Sequence, residues 1–193
     1  TDAGVKAAGL LDVALDVLGH DTVVFDQTPS SPTEAAVRAA AALYQQNACD
    51  GLVAFGGGSA IDCAKGVAIA ATHEGPLKTY ATIEGGSPKI TDRAAPLIAV
   101  PTTAGTGSEV TRVSVFADAN KVKVWAWGEE LKPDVAILDP ELTVAMPPAV
   151  TGGTGLDALV HSIEAATNKQ ANPGNDLYCL KAISLIAAIS SAP

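Results

Sequence analysis

Hydrophobic positions fall into short apolar runs separated by stretches of helical period. Thr1-Asp2-Ala3-Gly4 reads as a turn entering a helix, and Val5 to Leu18 carries an apolar stripe that Gly19 stops. Thr22 to Asp26 is a β-branched run and predicts a short buried strand. Pro32-Thr33-Glu34 has the residues of a helix start, and an alanine-rich helix follows to about Asn47. Gly51 to Phe55 shows no alternation, which predicts a strand buried on both faces. It leads straight into Gly56-Gly57-Gly58-Ser59 and a helix through Ala71. Pro96 to Val100 predicts another such strand, ending in the polar loop Pro101 to Glu109. Val113 to Phe116 and Val122 to Trp125 predict a hairpin around Asp118-Ala119-Asn120, and Asp134 to Pro140 predicts a last strand closed by proline.

Strands alternating with helices imply β-α-β units and a mainly parallel sheet, so the fold class is α/β. From Pro147-Pro148 onward the pattern changes: Val150 to Asn168 and Asp176 to Ile189 read as helices, with no further strand. The expected organisation is an α/β domain over 1–148, followed over 149–193 by the first helices of an all-α domain. There is no internal repeat and no low-complexity tract.

Composition narrows the function classes. The chain is 48% hydrophobic and 17% charged, which is globular rather than disordered. A net charge of −9 disfavours nucleic acid and anionic membranes as partners, while backbone N–H groups and a lysine or two still suffice for a small anion. Cys49, Cys63 and Cys179 form no CxxC pair and read as reduced thiols. No run approaches the roughly 20 apolar residues of a membrane span, and no secretory leader is recognisable. A soluble, cytoplasmic protein is expected.

Three places carry chemistry. The glycines at 56–58 allow close backbone approach and open a helix whose free N–H groups suit a pyrophosphate, although the spacing is not GxGxxG and a plain tight turn is the alternative. Ser59 can cap that helix or donate to phosphate; Asp62 and Lys65 follow on its early turns, Lys65 near phosphate or simply solvated. The loop 101–109 offers threonines, a serine and glycines at the carboxyl end of a strand, where open α/β sheets bind ligands. Asp157 and His161, four apart on a helix, share one face; they suit a metal ion or a surface ion pair. Two ligands leave a metal under-coordinated. His20 and His73, near helix ends, read as exposed or capping imidazoles rather than a third ligand. No GxSxG, HExxH or Walker motif supports hydrolysis.

Taken together, GGGSAIDCAK at 56–65, PTTAGTGSEVT at 101–111, KPDVAILDPEL at 132–142 and TGLDALVHSIEA at 154–165 resemble the iron-containing (group III) alcohol dehydrogenase family. The resemblance implies a Rossmann-like N-terminal domain followed by the start of an all-helical domain, the dehydroquinate synthase-like architecture. It implies NAD or NADP contacts from Asp2, Gly57, Gly58, Ser59, Asp62, Thr102, Thr103, Thr106, Ser108 and Lys123, with the Asp2 carboxylate favouring NAD. It also implies Fe²⁺, with Zn²⁺ as the alternative, held by Asp157, His161 and two histidines of later helices. The metal would act as a Lewis acid while hydride passes between a small alcohol or aldehyde and the nicotinamide. A homo-oligomer is expected from the family. Relative to it, the chain reads as a fragment that lacks the opening strand and most of the helical domain. The alternatives are a polyol (glycerol-type) dehydrogenase or other superfamily enzyme on the same scaffold, or a non-catalytic nucleotide-binding remnant.

Overall fold

The computed structural model describes residues 1–19, 21–91 and 93–190. By internal contacts the chain forms two compact units. One comprises Thr1–Thr102 with Ser108–Val144; the other comprises Thr103–Gly107 with Ala145–Pro193.

In the first unit a parallel sheet orders β1 (Leu52–Gly56), β2 (Leu97–Pro101) and β5 (Val135–Ala136) as β1-β2-β5. Leu52 pairs with Leu97 and Gly56 with Pro101, so the carboxyl ends of β1 and β2 lie level. The helices are α1 (Ala3–Ala7), α2 (Leu10–Leu18), α3 (Glu34–Gln46) and α4 (Gly58–Thr72). Thr33 caps α3, its hydroxyl accepting from Ala36 N–H at 3.2 Å, a cap that contributes about 1 kcal/mol. A separate antiparallel hairpin, β3 (Val113–Ala117) with β4 (Lys123–Trp127), turns where the Asp118 carboxylate accepts from the Asn120 and Val122 N–H groups.

The main core joins α3, α4 and the hairpin through Val37, Ile69, Leu77 and Phe116, all fully buried, each contributing roughly 1.5–3 kcal/mol. A smaller cluster of Ala54, Ile61, Leu97 and Ala99 seals α4 against the sheet. Helix α4 is therefore packed on both sides.

Four expectations change. The stripe from Val5 to Leu18 is broken into α1 and α2 at Gly9, whose φ of 75° no helix accommodates. Thr22 to Asp26 is not a strand: it has no ladder partner among the described residues, and a cavity of about 540 Å³ lies among this segment, β1, α2 and α3. Beside that cavity Val53 is 40% exposed, so β1 is not covered on both faces. The last strand keeps only Val135 and Ala136, paired with Ile98 and Ala99.

The second unit holds α5 (Pro148–Thr167) and α6 (Pro173–Ser190), packed together. Pro148 stands at the first helical position, where its missing N–H costs nothing. Among the described residues no helix is long and apolar enough to cross a membrane.

Candidate functional site

In the first unit the chemistry gathers where β1 turns into α4. Gly56 has a φ of 153°, and a Cβ there would stand 2.7 Å from the Ala60 Cβ and 3.3 Å from Asp2 Oδ2. Gly57 takes the cap position of α4 and has no side chain to fill it, so the first-turn N–H groups meet no side-chain cap. This is the positive end of a 15-residue helix, the electrostatic setting for an anion. Thr102, itself buried, donates its N–H to the Gly56 carbonyl at 3.0 Å and so ties the second loop to the first.

Asp2 borders this turn. Its Oδ1 caps α1, accepting from Gly4 N–H at 2.8 Å and Val5 N–H at 3.0 Å, while Oδ2 is the oxygen nearest Gly56. Ser59 neither caps the helix nor stands idle: its hydroxyl donates to the Ser30 carbonyl at 2.6 Å. Asp62 turns inward and is pushed up to about 6 by burial, against Lys65, the Val115 N–H, the Ser108 hydroxyl and Lys123. Lys123 is exposed at the start of β4.

Lys65 matches neither expectation. It is 0% exposed, and its ammonium donates to the carbonyls of Ser108 (2.7 Å), Thr111 (2.6 Å) and Val113 (2.9 Å) and to the Thr111 hydroxyl (3.3 Å). Burial pulls it down to about 8, against the carboxylates of Asp62 and Glu109. The signal was present in the sequence: α4 is apolar nearly all round, as buried helices are, so a lone lysine inside it is enclosed.

The second unit contains Thr103, Thr106, Asp157 and His161. Asp157 Oδ1 and His161 Nδ1 lie 3.9 Å apart on α5, both partly exposed, and Nδ1 is 3.4 Å from the Gly105 carbonyl. Tetrahedral bonds of about 2.1 Å set two donors about 3.4 Å apart, so the pair must close by about half an ångström to share one ion. Oxygen and nitrogen donors suit Fe²⁺ or Zn²⁺. Among the described residues no group of three or more His, Cys, Asp or Glu side chains gathers, so the pair by itself does not make a complete metal site.

His73 takes the C-cap position of α4, one of its two expected roles, its N–H donating to the Ile69 carbonyl, but it is not exposed. It is 8% exposed; its Nε2 accepts from the Thr91 N–H at 3.1 Å and its Nδ1 lies 2.8 Å from the Thr72 hydroxyl, a locally satisfied core imidazole. His20 lies outside the described residues. Cys49, Cys63 and Cys179 are free thiols.

Comparison with known proteins draws these features together. The family model of iron-containing alcohol dehydrogenase matches residues 1–140. A 4-hydroxybutyrate dehydrogenase of Cupriavidus necator is 56% identical over 179 residues, covering 91% of this chain and 46% of that protein. The crystal structure of a 1,3-propanediol oxidoreductase superposes with a TM-score of 0.90 at 42% identity, over 97% of this chain and 49% of that one. Sulfoacetaldehyde reductase from Bifidobacterium kashiwanohense, solved with NAD⁺, superposes with a TM-score of 0.86 at 34% identity, over 94% of this chain and 48% of that one. The chain thus spans about half the length of the relatives it matches. With the glycine turn, the threonine loop and the Asp157–His161 pair in one sequence, it belongs to the iron-containing alcohol dehydrogenase family.

Proposed function

We propose that this chain carries the cofactor side, and the first two metal ligands, of an NAD-dependent oxidoreductase that interconverts a small alcohol and its aldehyde. One observation carries the reading: the uncapped first turn of α4, tied to Thr102 and bordered by the Asp2 carboxylate. Backbone N–H groups at Gly57 and Gly58 receive the pyrophosphate, and the Ser59 hydroxyl turns from Ser30 to a phosphate oxygen. Asp2 Oδ2 accepts from a ribose hydroxyl and repels a 2′-phosphate, which favours NAD over NADP. Asp62, Thr102, Thr103, Thr106, Ser108 and Lys123 complete the cofactor contacts, directly or by holding the loops in place. Asp157 and His161 hold Fe²⁺, with Zn²⁺ as the alternative. The bound ion supplies Lewis acidity toward the alcohol oxygen.

For substrate, two of the relatives point to short primary alcohols with a second polar end. The names 4-hydroxybutyrate dehydrogenase and 1,3-propanediol oxidoreductase both describe such molecules. This also keeps a polyol such as glycerol in the panel. The test is NAD⁺ reduction at 340 nm by the full-length protein reconstituted with Fe²⁺ under anaerobic conditions, offered 4-hydroxybutyrate, 1,3-propanediol, ethanol and glycerol. Asp157→Ala and His161→Ala should abolish turnover and lower bound metal while NADH binding persists. Turnover that survives both substitutions would sink the metal assignment, and failure to bind NADH would sink the cofactor assignment.

A further inference from the structure

We infer that Lys65 is a positioning residue: an internal cation that holds the segment Ser108–Val113 in its ligand-ready shape and does not touch the ligand. The inference extends the cofactor reading above by naming what holds Ser108, at the end of the second loop, and the chain that leaves it. An ammonium carries three donors and no acceptor, and here it meets three carbonyl oxygens and one hydroxyl from Ser108, Thr111 and Val113. Carbonyls converging on one point repel each other unless a positive charge sits between them. The chain over 108–113 curls round the lysine much as a loop curls round a bound monovalent ion. With 0% of the side chain exposed, no phosphate reaches the ammonium without displacing those carbonyls.

Asp62, one turn earlier on α4, supplies the counter-charge and grips the same segment from its other side. Its carboxylate takes hydrogen bonds from the Ser108 hydroxyl and the Val115 N–H, and its own backbone carbonyl accepts from the Ser114 hydroxyl at 2.8 Å. Helix α4 therefore holds residues 108–115 through one cation, one carboxylate and one carbonyl. The other charges facing this pair are Glu109 and Lys123. A glycine turn that meets a phosphate and a lysine that shapes the neighbouring loop sit on the same helix, so both loops are referenced to one rigid body.

The test is Lys65→Met, which keeps the length of the stem and removes the charge, with Lys65→Gln as the second variant should the first not fold. Hydrogen exchange of the ligand-free protein should show protection lost over 108–115 and retained over α3 and β1. The Kd for NADH should rise about tenfold if the loop-competent fraction falls to a tenth. Wild-type Kd should also rise above about pH 8, where Lys65 loses its proton, and the variant should be flat there. Unchanged exchange over 108–115 would overturn the inference. Raised Kd with unchanged exchange would do so too, by making Lys65 a direct ligand. Because the exchange readout uses no ligand, a failure of the cofactor reading would leave it standing and show separately as absence of NADH binding in the wild type.

Discussion

Gly56→Ala tests whether the turn before α4 is shaped by steric necessity. At a φ of 153°, in the positive-φ region that is essentially glycine's own, an L-residue is strained at a cost of about 1–2 kcal/mol. The added methyl would also stand 2.7 Å from the Ala60 Cβ, where neither group is the far end of a flexible chain. Crowding of that kind costs about 1–3 kcal/mol. Together the substitution should destabilise by about 2–5 kcal/mol, or about 5–20 °C in Tm for a chain of this size. Gly9→Ala provides the internal control: its φ is 75°, but nothing lies within 4 Å of the Cβ position, so only the backbone cost applies. Thermal unfolding by circular dichroism ranks the two, and NADH titration by fluorescence follows the displacement of Asp2, whose Oδ2 is 3.3 Å from the same position. If Gly56→Ala melts no lower than Gly9→Ala, the argument from close approach is wrong.

Three further outcomes follow from two charged groups beside the turn. Asp62 is raised from its ordinary value of 3.8 to about 6, so the folded state binds its proton more tightly than the unfolded chain does. Its contribution to stability is present below about pH 4 and is lost as pH rises through 6. Urea midpoints between pH 4 and 7 should therefore fall relative to those of Asp62→Asn, and parallel curves would refute the burial of this carboxyl. Asp2→Ala should loosen α1 by about 1 kcal/mol through loss of its two cap bonds. Asp2→Gly should move the NADPH-to-NADH preference by at least about tenfold, since one removed charge at contact distance is worth more than that. An unchanged ratio in steady-state kinetics would detach Asp2 from the ribose.

What the sequence disclosed, and what it withheld, follows from the range of the interactions involved. The apolar runs of β1 and β2 were legible because parallel strands bury most of their side chains, whatever their partners. Thr33 before α3 and Asp118 in the hairpin were legible because caps and turns are satisfied within four residues. Thr22 to Asp26 misled because β-branched composition expresses a willingness to pair, while a strand exists only where a neighbour offers a ladder. The break at Gly9 was hidden because an apolar stripe is continuous across a single left-handed residue. The 4-residue spacing of Asp157 and His161 was legible as a shared face, since both donors belong to one helix.

Lys65 is the instructive case. By residue type it belongs on the surface, and by its place in the glycine motif it suggests a phosphate contact. Its partners lie 43 to 48 residues further along the chain, beyond the reach of any local pattern. They are also backbone carbonyls, which every residue carries and no motif records. The helix around it nevertheless buries Ala60, Ile61, Cys63, Gly66, Val67, Ala68 and Ile69, a set that wraps the axis and leaves no solvated stripe at Lys65. A charge in such a helix must be compensated where it stands, because the cost of an unpaired buried ammonium exceeds the whole margin of stability. The composition of the helix thus fixes that the lysine is enclosed and paired. Only the fold reveals that its partners are the carbonyls of Ser108, Thr111 and Val113, which places in the scaffold a lysine that the sequence left near phosphate or in solvent.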